Sequence, residues 1–98
     1  MRVPQDGDVI RVGAQGYRVH LSPDLAAEDG LSGACNRRRL VIELDSGAHP
    51  SRQKQTLLHE ILEAIDHEFG VGLEHPQIDA LEVALACLVK DNPTLFVE

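Results

Sequence analysis

Three side chains of the segment LLHEILEAIDHE, residues 57 to 68, have the types and spacing of a metal site. His59 and Glu63 are four positions apart, so on a helix they lie about 40° apart around the axis and one turn from each other. In the motif HExxH, two histidines at this spacing hold Zn²⁺, and the glutamate after the first histidine takes a proton from the metal-bound water. Here the motif is HExxE. Because glutamate also binds zinc, His59 and Glu63 are candidate ligands and Glu60 is the candidate general base.

A catalytic zinc ion normally has three protein ligands and an open fourth position, so a third ligand is needed. His67 lies on the same helix, but it is about 12 Å along the axis from His59 and about 80° around it, which makes it the poorer candidate. His75 follows the segment GVG, whose glycines allow the chain to double back, so a second helix can present His75 to the first.

The same polar residues also fit a simpler interpretation. His59, Glu60 and Glu63 lie away from the apolar positions of the helix, as expected of a solvated helix face. Histidine and glutamate four positions apart are common surface neighbours. By the same reasoning, Asp79 and Glu82 are interpreted as part of a solvated face of the following helix.

The first half of the chain has the pattern of short strands. The β-branched runs DVIRV (8 to 12) and YRVHL (17 to 21) flank GAQG, which suits a tight hairpin connection. A short helix is expected over residues 23 to 29, because SPDLAAEDG begins with a capping serine and a proline and ends in glycine. A further strand is expected over residues 37 to 45, RRRLVIELD, before the loop SGAHP.

The second half has helical periodicity. From Ser51 to about Phe69, apolar residues recur at spacings of three and four, namely Leu58, Ile61, Leu62, Ile65 and Phe69. A second helix begins near Pro76 and carries its own apolar face, namely Ile78, Leu81, Leu85 and Leu88, with Cys87 expected in the core. The predicted fold class is α+β, with about three antiparallel strands packed with the site helix and a second, C-terminal helix.

Length and charge limit the possible functions. The 98 residues, with 43% hydrophobic content, suit one modest core and a single domain over residues 1 to 98. Sixteen acidic and nine basic residues give a formal charge of -7, which argues against a nucleic-acid partner. The sequence lacks an apolar run long enough for a membrane span and a signal-peptide core, so we expect a soluble, cytoplasmic protein.

Four segments in order, ACNRRRLVIELD, QTLLHEILEAID, LEHPQIDALEVAL and KDNP, resemble the minimal zincin-type metallopeptidases of phage and bacterial genomes, which are relatives of the peptidases that cleave phage immunity repressors. The resemblance implies a small zincin-like domain with a strand along the substrate cleft. It implies His59 and Glu63 as ligands, Glu60 as general base and His75 as third ligand. This is the usual set of two histidines and one glutamate, with two members exchanged.

The resulting hypothesis is a zinc-dependent metallopeptidase that acts on a peptide or protein substrate, with no nucleic-acid or membrane partner. Zn²⁺ or another divalent ion would be the cofactor. The strand over residues 38 to 44 would align the peptide by edge pairing. Two alternatives stay open: a zincin-like binding or regulatory module that no longer hydrolyses anything, and a helical interaction protein that binds no metal.

Overall fold

The computed structural model describes residues 1–25 and 32–95. Within these two ranges, four strands are followed by two long helices. They are β1 (Val9–Val12), β2 (Gln15–Ser22), β3 (Gly33–Asn36), β4 (Val41–Asp45), α1 (Pro50–Phe69) and α2 (His75–Asp91). Most of the short helix expected over residues 23 to 29 lies outside the described residues.

The strands form one mixed sheet in the order β1-β2-β4-β3. β1 and β2 form the predicted antiparallel hairpin, and β3 and β4 form a second one. β2 and β4 are parallel in the centre. The α+β class is therefore confirmed, but the sheet has four strands rather than about three, and one pair is not antiparallel. The sequence GACN of β3 was missed because it is short and contains no β-branched residue.

The strand expected from residue 37 begins only at Val41. Residues 37 to 40 form the turn between β3 and β4 instead. Leu40 adopts a left-handed conformation with φ of 57°, and the Asn36 side chain accepts a hydrogen bond from the Arg39 backbone N–H. This turn places three consecutive arginines outside the sheet.

The core lies between one face of the sheet and α1. Alternation along β2 buries Tyr17 and Val19, and β4 contributes Ile42 and Leu44 in the same way. Helix α1 covers this face and contacts α2 on another side. Its buried residues are Gln53, Leu57, Glu60, Leu62 and Ala64.

The buried face of α1 includes part of the predicted apolar stripe, because Leu62 is buried and Ile61 and Ile65 pack against the core. Leu58 lies in a cleft between the helices, beside Ala86 and Val89 of α2, and Phe69 is 63% exposed. The helix therefore uses part of its apolar stripe against α2 and turns Glu60 towards the sheet. Cys87 is exposed, so the expectation that it belongs to the core is wrong.

The ends of both helices follow from local sequence. His49 caps α1 by accepting a hydrogen bond from the Ser51 backbone N–H, and Gly70 ends the helix in a left-handed conformation. Glu74 and Gln77 form a capping box at the start of α2. Among the described residues, neither helix is long and apolar enough to cross a membrane.

Candidate metal centre

The turn between the two helices brings His75 beside His59. Gly70 and Gly72 have positive φ angles of 61° and 83°, which favour glycine. The Asp66 side chain accepts hydrogen bonds of 2.7 Å from the backbone N–H groups of Gly72 and Leu73. The chain reverses over this turn, and the imidazole rings of His59 and His75 lie with centroids 5.3 Å apart, edge to face at 65°.

The two ring nitrogens of His59 face different carboxylates. Nε2 is 3.5 Å from Oε1 of Glu63. Nδ1 is 2.7 Å from Oε1 of Glu82 and 3.5 Å from Oδ1 of Asp79. An ionised carboxylate can only accept a hydrogen bond, so Nδ1 of the neutral imidazole carries the hydrogen and donates a hydrogen bond to Glu82. Nε2 is then left with a free lone pair on the side of Glu63.

Glu82 is held in place by a second contact. Its Oε2 accepts a hydrogen bond of 2.7 Å from the side-chain amide of Gln55 on α1. Histidines that bind metals usually donate their other N–H to a carboxylate of this kind, which fixes the ring and its tautomer. The hydrogen bond from Nδ1 to Glu82 therefore leaves Nε2 of His59 suited to bind a metal ion.

Glu60 is buried next to this histidine. Its side chain points towards β3, is 4% exposed, and has an oxygen, Oε2, with no hydrogen-bond partner among residues 1–25 and 32–95. Burial raises the pKa of Glu60 to about 7, and the nearby charge of Glu63 adds to the effect. An unsatisfied buried carboxylate oxygen is costly, and a bound cation or water would satisfy it.

Gly33 of β3 makes this close approach possible. A Cβ atom at position 33 would overlap the Thr56 methyl group and lie 3.1 Å from the Glu43 carbonyl oxygen and 3.5 Å from Cγ of Glu60. The absence of a side chain at Gly33 lets β3 pack directly over the part of α1 that carries Glu60. No pattern in the sequence identified Gly33 as a residue that shapes the site.

The charges around His59 favour a cation. Burial lowers the pKa of His59, but the hydrogen bond to Glu82 and the charges of Glu60 and Glu63 outweigh burial, so the net pKa is raised. A site that holds a proton in this way also attracts a metal ion, which competes with the proton for the imidazole nitrogen.

Among residues 1–25 and 32–95, the potential ligand atoms form two groups that share His59. One group is His59, Glu60 and Glu63, and the other is His59, His75 and Asp79, with the ligand atoms of each within 4.8 Å of one another. The predicted ligands are thus divided: Glu63 lies in the first group and His75 in the second. Joint binding of one ion by His59, Glu63 and His75 stays a prediction.

The remaining candidate ligand, His67, and the single tyrosine of the sequence, Tyr17, lie elsewhere. His67 belongs to neither group and is exposed beside the end of β3. Tyr17 is fully buried and donates a hydrogen bond of 2.6 Å to Glu68, away from the cluster.

Glu82 and Asp79, interpreted from the sequence as solvated, contact the two histidines. Asp79 lies four positions and Glu82 seven positions after His75, on one face of α2. This spacing was the sequence signal that could have identified them.

An open cavity of about 550 Å³ adjoins the cluster. Its walls come from both helices and from the edge of the sheet, and include Gly33, Thr56, His59, Glu60, His75 and Glu82. Both Gly33 of β3 and Asp45, the last residue of β4, line it, but β3 is the edge strand of the sheet. The strand predicted to align a peptide, residues 38 to 44, corresponds mainly to β4, which is paired on both sides and has no free edge. That expectation is wrong because β3 was not recognised.

Comparison with known proteins identifies no relative: no protein-family model matches the chain, and neither do curated sequences or solved structures. The assignment to zincin-type metallopeptidases therefore remains a prediction from the motifs. The structure itself provides groups of histidine and carboxylate side chains that could hold a metal ion.

Proposed function

We propose that the protein is a metal-dependent peptidase that hydrolyses a peptide bond in the cleft between β3 and the two helices. The observation that carries the proposal is Glu60, a buried carboxylate with one oxygen that has no partner in the described part of the chain, directly beside the candidate ligands His59 and Glu63. Buried carboxylates with raised pKa are typical of groups that exchange protons during catalysis.

His59, Glu63 and His75 are the proposed ligands, with zinc as the proposed ion. The side chain of His75 is 69% exposed and its ring lies beside that of His59, with centroids 5.3 Å apart, so joint binding of one ion requires the His75 ring to move towards Nε2 of His59. When bound, the ion would supply a Lewis acid that activates water and polarises the scissile carbonyl.

The other steps belong to side chains and backbone of this chain. Glu60 would accept a proton from the attacking water and pass it to the leaving amine. Its burial keeps the carboxylate from full solvation, so it is a stronger base than an exposed glutamate. The outer edge of β3 would hold the substrate as an added strand, with backbone hydrogen bonds that align the peptide across the cavity.

The decisive experiment combines metal content with activity on protein purified without a histidine tag. We expect close to one zinc ion per chain in the wild type and in the Glu60→Gln variant, with hydrolysis only in the wild type. His59→Ala should lose both metal and hydrolysis. His67→Ala is the matched control for metal content, because it removes an exposed histidine from the same helix, and it should keep the zinc ion.

A non-hydrolytic metal-binding module is the second candidate. The division of the ligand atoms between two groups and the exposure of His75 favour it, because such a site can hold an ion without leaving a position open for water. Retained metal with no hydrolysis by the wild type would support this candidate. Absence of metal under all conditions would support a helical interaction protein instead.

A further inference from the structure

We propose that Arg37 and Arg38 form a binding subsite for an acidic side chain of the peptide that occupies the cleft. This inference rests on the proposed function, since it assigns a substrate class to the same cleft. Its starting point is the position of the arginine turn at one end of β3, with the candidate metal centre at the other end.

The edge of β3 connects two cavities. Gly33, at its start, lines the cavity at the metal centre, and residues 34 to 36 line a second open cavity of about 700 Å³. β3 pairs with β4 only, so within the described part of the chain its outer edge is free. At about 3.4 Å per residue, a peptide added along this edge would reach from one cavity to the other within about four residues.

The second cavity carries positive charge on a fixed turn. Arg37 and Arg38 line it, are exposed, and form no ion pair with any described residue. The left-handed Leu40 and the hydrogen bond from Arg39 N–H to Asn36 define the conformation of the turn. The arginines are therefore held near the end of β3 by an ordered backbone.

The positive charge of the arginine turn contrasts with the net negative charge of the whole chain. The protein carries a net charge of -7, and three of its nine basic residues are consecutive here. Glu43 and His67 also line the cavity, so its lining carries two guanidinium groups, one carboxylate and one imidazole. The excess positive charge suits a carboxylate, which guanidinium groups bind with paired hydrogen bonds. A nucleic acid would be repelled by the rest of the surface.

The test uses two pools of short synthetic peptides with blocked termini and otherwise uncharged residues. One pool contains a single Glu per peptide, and the other has Gln at that position. Binding to zinc-loaded Glu60→Gln protein is measured by fluorescence polarisation. We expect the Glu pool to bind about fivefold more tightly at low salt, the size of one partly exposed ion pair, and the preference to shrink as salt is added.

The arginines themselves supply the matched variants. Arg37→Gln and Arg38→Gln should each reduce the preference for the Glu pool. Arg39→Gln makes the same change in net charge, but Arg39 does not line the cavity, so this variant should keep the preference. If all three variants reduced the preference for the Glu pool equally, general electrostatic attraction would explain the preference. That result would overturn the proposed subsite.

The two proposals can fail separately. Cleavage of both pools at equal rates by the wild type, with equal binding, would overturn the subsite and leave the peptidase intact. A preference for the Glu pool that depends on Arg37 and Arg38, with no cleavage by the wild type, would support the subsite and overturn the peptidase. Absence of measurable binding by either pool would overturn the subsite.

Discussion

The chemistry of the candidate site depends on how His59 is held. Its Nδ1 is engaged by Glu82, Glu82 is in turn engaged by Gln55, and Nε2 faces Glu63. The His59 ring is therefore oriented by Glu82 of α2. Glu82 is itself held by Gln55, which lies one turn before His59 on α1. This makes Glu82 a positioning residue for the proposed ligand.

We expect Glu82→Gln to weaken zinc binding by about 10- to 100-fold, because the amide no longer provides a charged acceptor for the His59 N–H. Competition with a chromophoric chelator measures the affinity. Asp91→Asn, at the exposed end of the same helix, removes the same charge and should leave the affinity unchanged. Zinc affinity of Glu82→Gln equal to that of the wild type would contradict a positioning role.

Glu60 also predicts how stability depends on pH in the metal-free protein. Its pKa is raised to about 7 from an ordinary value of 4.5, so the folded state binds this proton more tightly than the unfolded state does. The free energy of unfolding should therefore fall as pH rises from about 4.5 to about 7, by as much as about 3 kcal/mol. The raised pKa of His59 acts in the same direction near neutral pH.

Chemical denaturation across this pH range, with chelator present, measures the effect. Glu60→Gln cannot lose a proton, so it should flatten the pH dependence and be more stable than the wild type above pH 7. A slope in Glu60→Gln as steep as that of the wild type would show that other groups are responsible.

At the scale of the elements, the contact of β3 with α1 shapes the cleft. β3 approaches the helix closely because Gly33 has no side chain. The same contact buries Glu60 and keeps the outer edge of β3 beside the cavity. The position of β3, the burial of Glu60 and the width of the cleft therefore all depend on the absence of a side chain at Gly33.

Gly33→Ala should destabilise the protein by about 1 to 3 kcal/mol, because the added methyl group overlaps the Thr56 methyl group and crowds the Glu43 carbonyl. Thermal or urea unfolding of the metal-free protein measures the loss. Combining the change with Thr56→Ser removes the Thr56 methyl group and should restore part of the stability. Gly47→Ala is the control, since a Cβ there meets only the Asp45 side chain at an ordinary distance.

At the scale of the whole molecule, metal binding should be linked to folding. The proposed ligands come from two helices whose relative position exists only in the folded chain, so an ion stabilises the folded state. At a free zinc concentration of about 100 times the Kd, the free energy of unfolding should rise by about 2.7 kcal/mol. A strong chelator should reverse the increase.

Thermal unfolding with and without zinc measures this linkage. His59→Ala should remove the response to zinc, and His67→Ala should keep it. A melting temperature that zinc and chelator leave unchanged, in protein shown to be folded, would contradict a metal site of any kind at this position.

Much of the fold could be predicted from local patterns. The β1–β2 hairpin follows from two β-branched runs around a glycine pair, and both long helices follow from apolar residues at spacings of three and four. The short strand GACN could not be recognised, because a strand of four residues without β-branched side chains has little signal of its own. Its pairing with β4 makes it a strand.

The sequence by itself determined that His59, Glu60 and Glu63 lie within one turn of each other, because helix geometry is local and follows from residue spacing. Tertiary structure alone decided that Glu60 is buried, that Glu82 holds His59, and that β3 rather than β4 is the edge strand beside the cleft. These features depend on contacts between segments far apart in the chain. A periodic pattern shows that a helix has an apolar side, but not which neighbour each part of that side meets.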